Sequence, residues 1–166
     1  MSQIFIRPAR PEEFTRIGDI TVAAYRAIEI SDNQVVDDYM DVLRDVRSRA
    51  EAADVLVAVD ETGLVLGAVT LVMDANSPLA EYDEPGTVSF RMLAVAPEAQ
   101  GKGVGKLLAD HCITRARGAG AHAVLIHSRH TMTKARDIYS AMGFARHPEI
   151  DFEVEDIKLD GFRLDL

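Results

Sequence analysis

The chain has no tryptophan, one cysteine and few aromatic residues, 6% of its 166 positions. A lone Cys112 excludes an intramolecular disulfide, so the fold must rest on packing and not on cross-links. Cationic residues are scarce too. With 18 Lys and Arg against 27 Asp and Glu, a net charge of −9 opposes general attraction to nucleic acid or to an anionic membrane. Long apolar runs are missing: no stretch approaches the roughly 18 residues of a membrane span, and residues 1–16 hold no apolar core of signal-peptide length. The expectation is a cytoplasmic protein without membrane or nucleic-acid partners. Apolar residues make up 48% of the chain beside 27% charged ones, a mixture that packs a core. With no linker, repeat or low-complexity tract, residues 1–166 read as a single domain.

Periodicity predicts a strand over 4–7, then a helix opened by Pro11-Glu12-Glu13 and carried by Phe14, Ile17, Ala24 and Ile28. A second helix places Tyr39, Val42, Leu43, Val46 and Ala50 on one face. Residues 55–59 and 64–73 read as a hairpin, 74–86 as a polar loop and 88–95 as a strand ending before Pro97. Gly101, Gly103 and Gly105 follow, and a helix with Val104, Leu107, Leu108, His111 and Cys112 on one face runs to 118. Residues 123–126 form a short buried strand, so 88–126 is a β-α-β unit with parallel strands. A last helix carries Met132, Ala135, Tyr139 and Met142 and stops at Gly143, and 144–154 and 157–164 close the chain as strands.

The segment Gln100-Gly101-Lys102-Gly103-Val104-Gly105-Lys106, between strand and helix, has the layout of a phosphate site. Glycine lets backbone approach a ligand closely, and a helix start offers unpaired N–H donors at the positive end of its dipole. Register excludes two familiar loops. A G-x-G-x-x-G fingerprint needs glycine where Lys106 or Leu108 stands, and a Walker A loop needs glycine at Gln100 and Ser or Thr at Leu107. Local charge suits an anion, because residues 100–118 hold Lys102, Lys106, Arg115 and Arg117 against Asp110 alone, +3 within a chain of −9. A turn that only tightens a β-α corner is the plainer alternative.

Gln100-x-x-Gly103-x-Gly105 resembles the phosphate turn of the GCN5-related N-acetyltransferases (GNAT). Met92-Leu93-Ala94-Val95-Ala96-Pro97 is similar to that family's strand ending in Val-x-Pro, and Ala135-x-x-x-Tyr139-x-x-x-Gly143-Phe144 to its closing motif. The resemblance implies a mixed α/β acyl-CoA N-acyltransferase fold, with a mostly antiparallel central sheet splayed at one parallel strand pair and helices on both faces. It implies acetyl-CoA as cosubstrate. Its pyrophosphate would lie on the turn formed by Gln100, Gly101, Lys102, Gly103, Val104, Gly105 and Lys106, and its pantetheine arm along Leu93, Ala94 and Val95 near a strand distortion. Met132 and Ala135 complete the implied cofactor set, although Met132 stands where the family commonly has asparagine and gives up one polar contact.

The implied function is direct transfer of acetyl to a primary amine of a small molecule in a ternary complex, with a backbone N–H near Ala94 or Val95 stabilising the oxyanion. The alternatives are a non-catalytic acyl-CoA-binding module and a protein or peptide N-acetyltransferase, and a homodimer is left open. Tyr139 matches the tyrosine that protonates the departing thiolate, since a phenol of pKa about 10 keeps its proton at neutral pH. Otherwise it is a core aromatic. The acceptor, an alkylammonium of pKa about 10.4, must lose a proton before attack. Ser89 stands where relatives often place glutamate and holds a water at most, which leaves Glu84, His127 or a water chain as base.

No metal is expected, because His127, His130 and His147 lack Cys, Asp or Glu at ligand spacing. Cys112 shares its helix face with Leu108 and reads as packing. Acidic residues gather at Glu29, Asp32, Asp37, Asp38, Asp41 and Asp45, and again at Asp74, Glu81, Asp83 and Glu84. In the resembled fold these stretches flank the acceptor groove and would favour a cationic amine; solvated surface is the alternative.

Overall fold

A computed structural model describes residues 2–32, 37–80, 82–154 and 157–166, with the backbone alone for 28–32, 37 and 38. Among the described residues one sheet runs in the order β1 (Phe5–Pro8), β2 (Asp54–Val59), β3 (Val65–Val72), β4 (Thr87–Val95), β5 (Ala123–Arg129), β8 (Ile157–Asp165) and β6 (Ala145–Arg146). β7 (Phe152–Val154) also pairs with β8. β4 and β5 run parallel, and the other pairs run antiparallel. The helices are α1 (Phe14–Asp32), α2 (Asp37–Arg44), α3 (Val46–Ala52), α4 (Val104–Gly118) and α5 (Thr133–Ala141). This is the mixed α/β class, mostly antiparallel with one parallel pair, that the resemblance implied.

Register shows which side chains share a face, since they alternate along a strand and directly opposed residues point the same way. A Cβ on Gly67 would meet Val104 Cγ1 at 2.9 Å, so Gly67 and its partner Val95 face α4. Only a residue without a side chain lets α4 approach β3 that closely. Ala68 and Ala94 face the other way, as does Met92, which packs with Val22, Met40 and Leu43 of α1 and α2. Helices therefore cover both faces. α5 shares the face of α4, where Tyr139 meets Phe90 edge-on at 5.9 Å.

β4 is irregular at Met92, whose φ is 54°. Ala68 pairs with Ala94 but Thr70 with Arg91, so Met92 and Leu93 together stand opposite Val69 as a β-bulge. The distortion expected over 93–95 thus begins at Met92. Pairing between β4 and β5 ends at Ser89 and Leu125, although β4 runs on to Val95 and β5 to Arg129. Beyond that rung the parallel strands part.

Two other expectations change. The second helix breaks at Asp45, whose carboxylate caps α3 by accepting from Ser48 N at 3.1 Å. Buried Arg49 then serves the end of α2, donating to Val42 O at 3.0 Å and Leu43 O at 2.9 Å. The strand expected over 144–154 is interrupted by a 3₁₀ turn at Pro148–Ile150, because a proline nitrogen cannot join a ladder.

Candidate active site

After β4 the chain makes a 3₁₀ turn, Pro97–Ala99, seated on fully buried Ala96 and Ala99. Arg16 of α1 ties this turn down by donating to Glu98 and to Val65 O. Gly101 and Gly103 then adopt left-handed backbone, φ 79° and 77°, which side-chain-bearing residues rarely take. No heavy atom beyond the adjoining residues lies within 4 Å of a Cβ built on either glycine, so both face open space. Gly103 is the N-cap of α4 and supplies no side-chain cap. The first helical bond runs from Leu107 N to Gly103 O at 3.1 Å, which leaves the N–H groups of Val104, Gly105 and Lys106 at the helix start. Gly105 lies over the bulged half of β4, where its Cβ would stand 3.7 Å from Val95 Cγ2 and 4.0 Å from Leu93 Cδ2.

The structure therefore brings Gln100, Gly101, Lys102, Gly103, Val104, Gly105 and Lys106 together with Leu93 and Val95 on the α4 side of the parted strands. Gln100 and Lys102 are exposed, Val104 is buried and offers backbone only, and Lys106 pairs with Asp110 at 2.9 Å. An anion on this donor-rich surface would meet unpaired N–H groups and the positive end of a helix.

Tyr139 is buried between Phe90 and Phe144, 5.9 and 5.8 Å from their ring centres. Alternation in 88–95 turns Phe90 inward, but nothing in the sequence says that it meets Tyr139. Met132 is the N-cap of α5, with its sulfur 3.5 Å from the Ser128 hydroxyl, and half-buried Ala135 packs at the core edge. Ser89 is buried on the last rung before the strands part. Its partner Val72 shows that it faces α1 and α2, the side opposite Tyr139.

Glu84, expected as a candidate base, lies away from the glycine turn. It precedes β4, at the paired end of the two strands, and its carboxylate meets Arg163 at 2.9 Å and His122 at 3.4 Å. Burial raises its pKa, but hydrogen bonds from Arg163 and His122 outweigh that and hold it below the ordinary carboxylate range. His127 lies in β5 just past the last shared rung, yet its Nε2–H donates to Ile150 O at 2.8 Å, because a carbonyl only accepts. Its ring stands edge-on to Phe152 at 4.8 Å.

Among the described residues no group of three His, Cys, Asp or Glu is placed to hold a metal ion. Burial pushes the Cys112 thiol up to about 12, so it carries no thiolate at neutral pH. Of the acids expected beside the acceptor, Asp45 is spent as a cap and Glu84 as an ion-pair partner. Glu81 and the side chains of Glu29, Asp32, Asp37 and Asp38 lie outside the described residues.

A sheet parted beside a glycine turn and helix start is the frame of an acyl-CoA acyltransferase, and comparison with known proteins agrees. Residues 16–144 match the acetyltransferase (GNAT) family, and the chain belongs to it; members use acetyl-CoA as acetyl donor. Mycothiol acetyltransferase from Pseudarthrobacter chlorophenolicus is 33% identical over 96 residues, 58% of this chain. The counterpart from Renibacterium salmoninarum is 34% identical over the same length. The chain spans 28% and 27% of these two relatives. Among solved structures, a GNAT acetyltransferase from Staphylococcus aureus superposes with a TM-score of 0.71 at 14% identity, covering 99% of both chains. One from Brucella melitensis, in complex with acetyl-CoA, gives 0.62 at 23% identity over 99% of this chain and 91% of its own. No helix among the described residues is long and apolar enough to cross a membrane.

Proposed function

We propose that the chain moves the acetyl group of acetyl-CoA to a primary amine of a small molecule by direct attack within a ternary complex. One observation carries the proposal: the gap between β4 and β5 opens beside the glycine turn and Tyr139 on one face of the sheet and beside Ser89 on the other. The bound donor supplies an activated acyl group. The N–H groups of Val104, Gly105 and Lys106, with the 100–103 backbone, would hold its pyrophosphate, and Leu93, Ala94 and Val95 its arm, flanked by Met132 and Ala135. Tyr139 gives its phenolic proton to the departing thiolate. Ser89 orients a water that relays the proton of the incoming ammonium. The relatives named for mycothiol favour a small-molecule acceptor over a protein surface. On this reading residues 1–166 act as one catalytic domain.

The test is release of free thiol from acetyl-CoA across a panel of amines, with acetylated products identified by mass. Turnover on at least one small amine is expected. A protein that binds acetyl-CoA tightly and releases no thiol with any amine or peptide would be a binding module instead, and turnover on peptides alone would move the acceptor to proteins.

A further inference from the structure

β8 carries a glycine where it lies opposite His127. A Cβ on Gly161 would stand 2.2 Å from Ile150 Cγ1 and 2.8 Å from His147 O, so only glycine admits the Pro148–Ile150 turn against the sheet. Ser89 shares the last parallel rung with Leu125, so Leu125, His127 and Gly161 all face the side covered by α1 and α2. The chain leaving β6 therefore crosses β8 on that face and reaches β5. There the His127 Nε2–H donates to Ile150 O at 2.8 Å and the ring supports Phe152 at 4.8 Å. A second anchor replaces the rungs lost between β6 and β7: Arg146 donates to Gly161 O at 2.7 Å and to Asp151, whose Oδ1 accepts from Gly161 N at 2.6 Å.

His127 stands at one rim of the gap between β4 and β5, just past Leu125, the last shared rung. Met92, packed under α1 and α2, stands at the other rim on the same face. The strap of residues 147–154 and the α1–α2 pair thus flank the parted strands on the face away from the glycine turn. Phe152 is an aromatic on the strap that remains 40% exposed. Ligand pockets are lined mainly by apolar and aromatic side chains with a few polar groups, so an exposed ring at this rim suits an apolar ligand body.

We propose that His127 is a positioning residue, which pins the 147–154 strap so that Phe152 walls the acceptor site and selects amines carrying an apolar body. The proposal rests on the acetyl-transfer reading for its acceptor half only. Three variants of the full chain test it: His127→Leu, His127→Gln, whose amide restores an N–H donor, and Phe152→Ala, which leaves the pin intact. Hydrogen–deuterium exchange at 152–154 reads the pin without turnover. It should quicken about three- to tenfold in His127→Leu, the worth of one net hydrogen bond, and stay near wild type in His127→Gln. In kinetics, His127→Leu and Phe152→Ala should raise KM for amines with an apolar body but not for a short bare amine. kcat, KM for acetyl-CoA and the shape of the pH–rate profile should hold, and His127→Gln should recover the acceptor KM. Loss of kcat together with one limb of that profile in both His127 variants would make the ring a base and overturn the proposal. Unchanged exchange and unchanged acceptor KM in folded variants would overturn it as well. Should His127→Leu not fold, Phe152→Ala carries the acceptor arm and His127→Gln the exchange arm, which must then stay at the wild-type rate. A wild-type protein that acetylates no amine would remove the acceptor half together with the reading beneath it, while exchange still decides the pin.

Discussion

A phenol serves as an acid only if its ring is held still, and Tyr139 is held by Phe90 and Phe144 on two sides. Phenylalanine at 139 keeps both edge-on contacts and the buried volume while removing the hydroxyl. Tyr139→Phe should therefore leave acetyl-CoA binding intact and lower kcat about 10²-fold or more, as removal of a general acid does. Steady-state rates beside a ligand-induced thermal shift check this, and a wild-type kcat would return Tyr139 to a packing role. Helical spacing alone read Tyr139 as a core aromatic, and only the resemblance carried by Ala135-x-x-x-Tyr139-x-x-x-Gly143-Phe144 marked it as a candidate acid. Glu84 was not legible in the same way. It stands near Ser89 in sequence, but its carboxylate is taken by Arg163, 79 residues away, and such a partner leaves no local signal.

At the scale of elements, the glycine turn and the strap invite different tests. Gly103 caps α4 at a φ of 77° and faces open space, so a β-branched residue there meets backbone strain and covers the helix start. Acetyl-CoA at a hundredfold excess over Kd should stabilise the wild-type fold by about 2.7 kcal/mol, and Gly103→Val should abolish that shift in a protein that remains folded. In the strap, hydrogen bonds from Arg146 lead the causes that lower the Asp151 carboxyl from 3.8 to about 2; burial opposes them and the Gly161 N–H adds to them. A carboxyl depressed in the folded state contributes stability above its unfolded value and loses it as pH falls through the folded one. Denaturant midpoints should drop between pH 3.8 and about 2 in the wild type and drop less in Asp151→Asn, which is already weaker at neutral pH. Equal slopes would show that Asp151 does not carry the acid limb. The strand-turn-helix order was readable because alternation, proline and glycine are local signals. The distortion in β4 was expected only through the resemblance, and its start at Met92 was not readable, since neither the positive φ of a methionine nor its packing with Val22, Met40 and Leu43 leaves a local signal.

Across the whole molecule the sheet separates the two sides of the proposed reaction. The glycine turn and Tyr139 lie on the α4–α5 face, Ser89 and the strap on the α1–α2 face, and the parted strands β4 and β5 open a passage between them. An acetyl group handed across such a gap needs both partners in place at once. A covalent acetyl-enzyme would need a nucleophile, and Cys112, the single cysteine, is fully buried with its thiol pushed up to about 12. Initial-rate plots with acetyl-CoA and amine varied together should therefore intersect, as a ternary complex requires, and acetyl-CoA alone should give no burst of free thiol. Parallel lines with a burst that survives Cys112→Ala would demand another nucleophile and break the opposed-face scheme. Salt divides the two faces further. The donor site has exposed Lys102 and the positive end of α4 beside it inside a chain of −9, so added salt should raise KM for acetyl-CoA by screening that attraction. The strap wall, presented by exposed Phe152, should leave KM for an apolar amine nearly unchanged over the same range. If both constants rise together, the acceptor is held by charge, and the acidic residues near α2 regain the role that the family resemblance implied for them.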